Sequence, residues 1–183
     1  FTADKEGDYE VVLTVSDGVN EVQSKRISIT SGANRDLLDI GTADGMWPYY
    51  GGSLASEKYS PLDKINSSNL DELAVVWRWA SPDNALSAFQ NTAFEATPLM
   101  VDGVLYTSTS FSQVAAINAS DGTSIWTYDP QAYQYARPPN NGFLHRGVSY
   151  IEGRPGKFIH MPTGDGRLIS LNAISGEPVS QFG

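Results

Sequence analysis

Val114-Ala-Ala-Ile-Asn-Ala-Ser-Asp-Gly122 returns as Leu168-Ile-Ser-Leu-Asn-Ala-Ile-Ser-Gly176. Just upstream, Val104-Leu105-Tyr106 corresponds to Phe158-Ile159-His160, at the same offset of 54 residues. Each copy reads as strand, polar turn, strand and then an Asp-Gly or Ser-Gly hairpin, with a last strand at Ile125 to Tyr128 in the first copy. Small antiparallel units repeated at a fixed spacing cannot each bury a core alone, so they stack as the blades of a β-propeller. Two copies do not close a ring, and further blades are expected after Gly183. The chain begins at Phe1 without Met and stops in a turn-like segment, which reads as a piece of a longer protein.

Outward from the repeat, Ser180 stands where Trp126 of the first copy predicts a closing Trp, so the second unit is expected to close differently. Before the repeat, Trp47 to Trp79 contains Asn66-Ser67-Ser68, polar residues suited to cap a short helical turn, and Val75 to Trp79, apolar and aromatic enough for a strand. Residues 32–46 carry Gly32, Asn34, Gly41 and Asp44 without apolar alternation and read as a linker. At the N-terminus, Tyr9, Val11, Leu13 and Val15 mark one face of a strand, Asp17-Gly18 a hairpin turn, and Lys25 to Thr30 the return strand. A lone hairpin is marginal in water, so residues 1–31 are expected to close a β-sandwich. The fold class is therefore all-β: the last strands of a sandwich, a linker, and the first propeller blades over residues 47–183.

Twelve Lys and Arg against twenty-one Asp and Glu give a formal charge of −9, and 40% of the residues are hydrophobic. This is ordinary globular composition. No basic cluster exists to displace counterions from a phosphate backbone, which argues against nucleic acid as a partner. No apolar run approaches the roughly 20 residues that span a bilayer. The absence of Cys excludes disulfides, thiolate metal sites and Cys nucleophiles, and leaves the compartment open. Asp63, Asp121 and Asp165 sit in turn-like stretches without the spacing of a calcium loop, and neither a phosphate loop nor a Ser-centred elbow occurs.

Phe1-Thr-Ala-Asp and Gly7-Asp-Tyr-Glu-Val-Val-Leu-Thr-Val-Ser-Asp-Gly resemble the closing strands of polycystic-kidney-disease-type or cadherin-like sandwich modules of bacterial surface proteins. From Trp47 onward a second resemblance runs to Gly183. Trp47-Pro-Tyr-Tyr-Gly-Gly, Lys58-Tyr-Ser-Pro-Leu-Asp-Lys-Ile-Asn, Trp77-Arg-Trp, Glu95-Ala-Thr-Pro-Leu-Met-Val-Asp-Gly, Ile117 to Pro130, His145-Arg-Gly-Val-Ser-Tyr and Gly166 to Gly176 are similar, in order and spacing, to landmarks of the pyrroloquinoline-quinone (PQQ) dehydrogenase propellers. Arg146 to Tyr150 and the closing Phe182-Gly183 resemble the glucose-dehydrogenase-like branch.

The resemblance implies eight blades around a funnel holding PQQ with calcium or a lanthanide, and oxidation of sugars or alcohols in the periplasm or at the cell surface. Electrons would pass to a cytochrome or a quinone. Two cofactor contacts carry over: Glu95, at the place of the glutamate that hydrogen-bonds the cofactor's edge, and Arg146, at the place of the arginine that pairs with its carboxylates. The catalytic aspartate and the metal ligands of the family come from later blades, so no catalytic or metal residue is assigned. Many alcohol-oxidising members carry adjacent Cys before the matching Arg. Here that stretch is Asn140-Asn141-Gly142-Phe143-Leu144-His145, which turns the expectation toward sugars.

Each candidate also has an ordinary reading. Glu95 is either a solvated acid at a strand start or the cofactor contact, and Arg146 either packs over Tyr150 or grips the cofactor. His145 either packs or faces the substrate, whereas His160, equivalent to Tyr106, reads as a blade residue. The four Trp read as packing between sheets, and the Ser and Thr of Thr107 to Ser112 as exposed turn residues. A non-catalytic propeller, acting as an assembly scaffold or as a surface glycan-binding module, shares the repeats and is the alternative.

Overall fold

The computed structural model describes residues 7–11, 14–16, 21–23, 27–31, 41–86, 92–135, 142–153 and 156–182. The chain divides into two compact units, Phe1–Leu37 and Leu38–Gly183. Among the described residues the only helical elements are short 3-10 turns, so no helix is long and apolar enough to cross a membrane.

In the first unit, β1 (Gly7–Val11) pairs antiparallel with β4 (Ile27–Ser31), and β2 (Thr14–Ser16) with β3 (Glu21–Gln23). In the first of these ladders Tyr9 is in register with Ile29 and Val11 with Ile27. The Asp17-Gly18 turn lies outside the described residues. Of the expected return strand Lys25 to Thr30, residues 27–30 lie in β4, and residues 25 and 26 lie outside the described residues.

The second unit carries the repeat as two antiparallel sheets. The first is β6 (Leu99–Val101), β7 (Val104–Ser108), β8 (Val114–Asn118) and β9 (Ser124–Tyr128), hydrogen-bonded in that order. After β10 (Phe143–Gly147), the second is β11 (Ser149–Gly153), β12 (Gly156–Pro162) and β13 (Leu168–Asn172). The run Val114-Ala-Ala-Ile lacks alternation because β8 is buried on both faces. The core lies between the sheets, where Leu99, Val114, Ile159, Met161 and Leu171 are fully buried. Tyr106 stacks on Tyr150 at 6.0 Å between ring centroids, and its hydroxyl donates across to the Ala173 carbonyl.

Tryptophan joins one repeat to the next. The Trp126 indole donates to the Ala173 carbonyl at 3.0 Å and lies flat over Gly176, and Trp77 treats Ala119 and Gly122 in the same way. Ala119 and Ala173, like Gly122 and Gly176, are equivalent positions of the repeat. Each glycine has φ +75°, which its turn requires, and a Cβ there would lie 2.5–2.6 Å from the indole. Trp77 thus holds toward the first sheet the place that Trp126 holds toward the second.

Three expectations need correction. Val75 to Trp79 forms no ladder; among the described residues it is held by its indoles, Trp77 on Ala119 and Trp79 on the Ser124 hydroxyl, while Val75 and Val76 are exposed. Asn66 to Ser68 do not cap the 3-10 turn Leu70–Glu72: Asn69 precedes it without a capping side-chain bond, and the Asn66 side-chain Oδ1 accepts instead from the N–H and hydroxyl of Ser68. Ser108, Thr109, Ser110 and Ser112 are buried rather than exposed, because other parts of the chain cover their turn. The second sheet ends, as Ser180 suggested, in a single bridge between Leu171 and Pro178 instead of a fourth strand. Proline is tolerated at this bridge because the bridge's two hydrogen bonds, from the Asn172 N–H to the Glu177 carbonyl and from the Val179 N–H to the Ser170 carbonyl, need no N–H from Pro178.

His160 packs on Phe182, with ring centroids 5.0 Å apart, and burial holds its imidazole below the ordinary value of 6.5. The unfolded chain therefore takes up the proton first. The stability held by the neutral ring is present above about pH 6.5 and is lost as pH falls from there toward the depressed folded value. Thermal midpoints are expected to fall between about pH 7.5 and 5.5, and His160→Phe to flatten that part of the profile; an unchanged slope in the variant would exclude His160 as its source.

Candidate functional site

β5 (Thr92–Thr97) and β10, a whole sheet apart in sequence, pair in parallel outside the two antiparallel sheets. The register runs Phe143 to Thr92, Leu144 to Ala93 and His145 to Phe94, then jumps so that Gly147 meets Thr97. Two residues of β5, Glu95 and Ala96, consequently oppose the single residue Arg146. A bulge of this kind re-aims side chains and recurs beside functional sites. Gly147 makes the crossing possible: it sits at φ +142°, and a Cβ there would lie 3.2 Å from the Thr97 carbonyl oxygen.

The bulge brings Glu95 and Arg146 together. Arg146 Nη2 lies 3.2 Å from Glu95 Oε2, with 78% of the arginine side chain and 45% of the glutamate side chain exposed. An ion pair this open contributes on the order of 0–1 kcal/mol to stability. Folding alone therefore gives little reason for the arrangement, which presents a guanidinium fork and a carboxylate side by side on an accessible face. The alternative of Arg146 packing over Tyr150 is set aside: Tyr150 is buried and its hydroxyl donates to Glu152.

His145, between Leu144 and Arg146, is tied on both ring nitrogens. Nε2 is 2.7 Å from the Pro162 carbonyl, which only accepts, so Nε2 carries the proton. Nδ1 then accepts from the Ser108 hydroxyl at 2.7 Å and from the Gly147 N–H at 3.2 Å. With both nitrogens engaged by the protein, the imidazole does not face a substrate. Sequence reading missed this tie, although a signal was present: Ser108 and Pro162 occupy the same position in the two copies of the repeat.

Two equivalent turns flank these strand ends. In the first, Thr109 N–H donates to the Gln113 carbonyl and Gln113 N–H to the Thr109 hydroxyl, while the Asp83 carboxylate accepts from Phe111 N–H and the Gln113 amide. In the second, Thr163 and Arg167 repeat the pattern, and Arg167 reaches the Pro130 carbonyl and Asp165. The Arg167 guanidinium, followed by the Thr163 hydroxyl, holds the Asp165 carboxyl below its usual range. Asp165 is thereby a turn residue, as is Asp121, whose carboxylate accepts from Thr123.

The fit to PQQ, a planar polyanion, is favourable at the arginine, whose fork matches a carboxylate. Glu95 fits where an edge of the cofactor offers a hydrogen bond or shares a proton. For a metal ion there is no support among the described residues, where no group of three His, Asp or Glu converges. The cleft of about 290 Å³ between Tyr106, Trp126, Tyr150 and Ile174 is mainly apolar and is separate from Glu95 and Arg146.

Comparison with known proteins adds the following. Residues 47–183 match the family model described as the glucose/ethanol/alcohol dehydrogenase β-propeller domain, PQQ. The dehydrogenase subunit of the quinone-type alcohol dehydrogenase of Gluconacetobacter polyoxogenes is 36% identical over 142 residues, covering 74% of this chain and 17% of that protein. The 1-butanol dehydrogenase (cytochrome c) of Thauera butanivorans is 30% identical over 172 residues, covering 86% of this chain and 23% of that protein. Among solved structures, a quinohemoprotein alcohol dehydrogenase of Pseudomonas putida superimposes with a TM-score of 0.62 at 32% identity, covering 73% of this chain and 18% of that one. The chain spans about a fifth of the length of the proteins it matches.

Proposed function

Because the chain belongs to the family of PQQ-containing glucose, ethanol and alcohol dehydrogenase propellers, we propose that it forms the opening blades and one edge of the cofactor site of an extracytoplasmic PQQ-dependent dehydrogenase. The observation that carries this reading is the bulged pairing of β5 with β10, which sets Glu95 beside Arg146 on an accessible face. When bound, PQQ supplies the two-electron acceptor for oxidation of a CH–OH group. Arg146 binds its carboxylates through the guanidinium fork, and Glu95 orients its edge through a hydrogen bond. Calcium or a lanthanide, with the general base, comes from other blades of the whole protein.

Alcohols and sugars are both candidate substrates. The relatives are named for alcohols, whereas the missing Cys pair before Arg146 favours sugars. Their names also support a quinone or a cytochrome as electron acceptor. In this reading residues 1–31 end a sandwich module, residues 32–46 link it, and the propeller starts at Trp47.

The test is titration of the full-length protein with PQQ, with and without calcium or a lanthanide, followed by dye reduction with a panel of alcohols and sugars. Metal-dependent binding with turnover is expected. Absence of binding with every metal would leave the scaffold propeller as the better account.

A further inference from the structure

The geometry points to His145 as a positioning residue that sets the aim of Arg146 by clamping β10 to the ends of two successive blades. This rests on the reading of Glu95 and Arg146 as the cofactor-binding pair. The guanidinium of Arg146 is mostly exposed and its partner Glu95 is open to solvent, so little beyond the backbone holds it in place. That backbone is bulged, and Gly147 next to it occupies a conformation that favours glycine. Its direction must come from somewhere else.

His145 provides it. Through Nδ1 the ring holds the hydroxyl of Ser108, a fully buried residue at the end of β7, and the N–H of Gly147 within the bulge; through Nε2 it holds the carbonyl of Pro162 at the end of β12. Ser108 and Pro162 are the same position of successive repeats, so one imidazole ties equivalent corners of two blades to the strand that bears Arg146. A ligand group held by such supporting hydrogen bonds binds without first having to be ordered. Removal of the ring leaves a buried hydroxyl and the Gly147 N–H without that acceptor, and frees the bulge to relax.

The experiment is PQQ titration of the full-length protein, read by absorbance and by tryptophan fluorescence rather than by turnover, for His145→Leu, His145→Gln, Ser108→Ala, Arg146→Ala and the double variant His145→Leu/Arg146→Ala. His145→Leu is expected to weaken PQQ binding about tenfold, and Ser108→Ala less. His145→Gln, which keeps one donor and one acceptor, recovers most of the loss. On the Arg146→Ala background His145→Leu costs little more, because its effect passes through Arg146.

Losses from His145→Leu and Arg146→Ala that simply add, or a Gln variant no better than Leu, would overturn the positioning role. Circular dichroism separates out a variant that has failed to fold, and Ser108→Ala then carries the test: affinity equal to the parent's overturns the proposal. If the parent binds no PQQ, the cofactor reading falls and this inference falls with it. Binding abolished by Arg146→Ala but untouched by His145→Leu sinks only the inference.

Discussion

Arg146→Ala in the full-length protein is expected to raise the dissociation constant for PQQ about 10- to 100-fold and to leave the thermal midpoint nearly unchanged. The first expectation follows from the size of a hydrogen bond to a charged group, about 1.5–3 kcal/mol, with each 1.4 kcal/mol worth a factor of ten. The second follows from exposure. The pair with Glu95 is open to solvent, and exposed ion pairs contribute on the order of 0–1 kcal/mol. Arg146→Lys is expected to recover only part of the affinity, since a point charge lacks the planar fork. Equilibrium titration checks all of this, and an alanine variant with parental affinity would remove Arg146 from the cofactor site.

Gly176→Ala is expected to act in the opposite sense, lowering stability by about 2–5 kcal/mol with Glu95 and Arg146 untouched. Two costs combine. An alanine at φ +75° is strained by about 1–2 kcal/mol, and its Cβ would meet the Trp126 ring at 2.6 Å, an overpacking worth about 1–3 kcal/mol. Gly103 supplies the control, since it has φ +78° with nothing within 4 Å of the added Cβ, so Gly103→Ala bears only the first cost. Thermal unfolding of the two variants isolates the ring contact. Equal losses would mean that Trp126 does not dock on Gly176.

The pair illustrates how the molecule divides its work. Tryptophan on turn glycine fastens blade to blade and carries stability, whereas the parallel strands β5 and β10 carry the exposed acid and base at little cost to folding. A substitution in one set is therefore expected to leave the other readout nearly unmoved, since additivity holds for sites without shared partners.

Sequence by itself determined the blade unit. The repeated strands, their turns and the small residues of β8 are local features, because a strand's periodicity reports which faces it buries and a turn's conformation selects its glycine. The resemblance of these landmarks to the PQQ dehydrogenase propellers also implied Glu95 and Arg146, one at a time. Tertiary structure alone decided that the two meet, because the parallel pairing of β5 with β10 joins segments separated by a sheet, and a bulge shifts the register by one residue. It alone decided that His145 spans Ser108 and Pro162, that Asp83 covers a serine- and threonine-rich turn that composition places in solvent, and that Val75 to Trp79, strand-like in residue type, lacks a ladder among the described residues. The reason is common to all four. Local sequence specifies what a segment does with its own backbone, while pairing and side-chain partners depend on which distant segment arrives beside it.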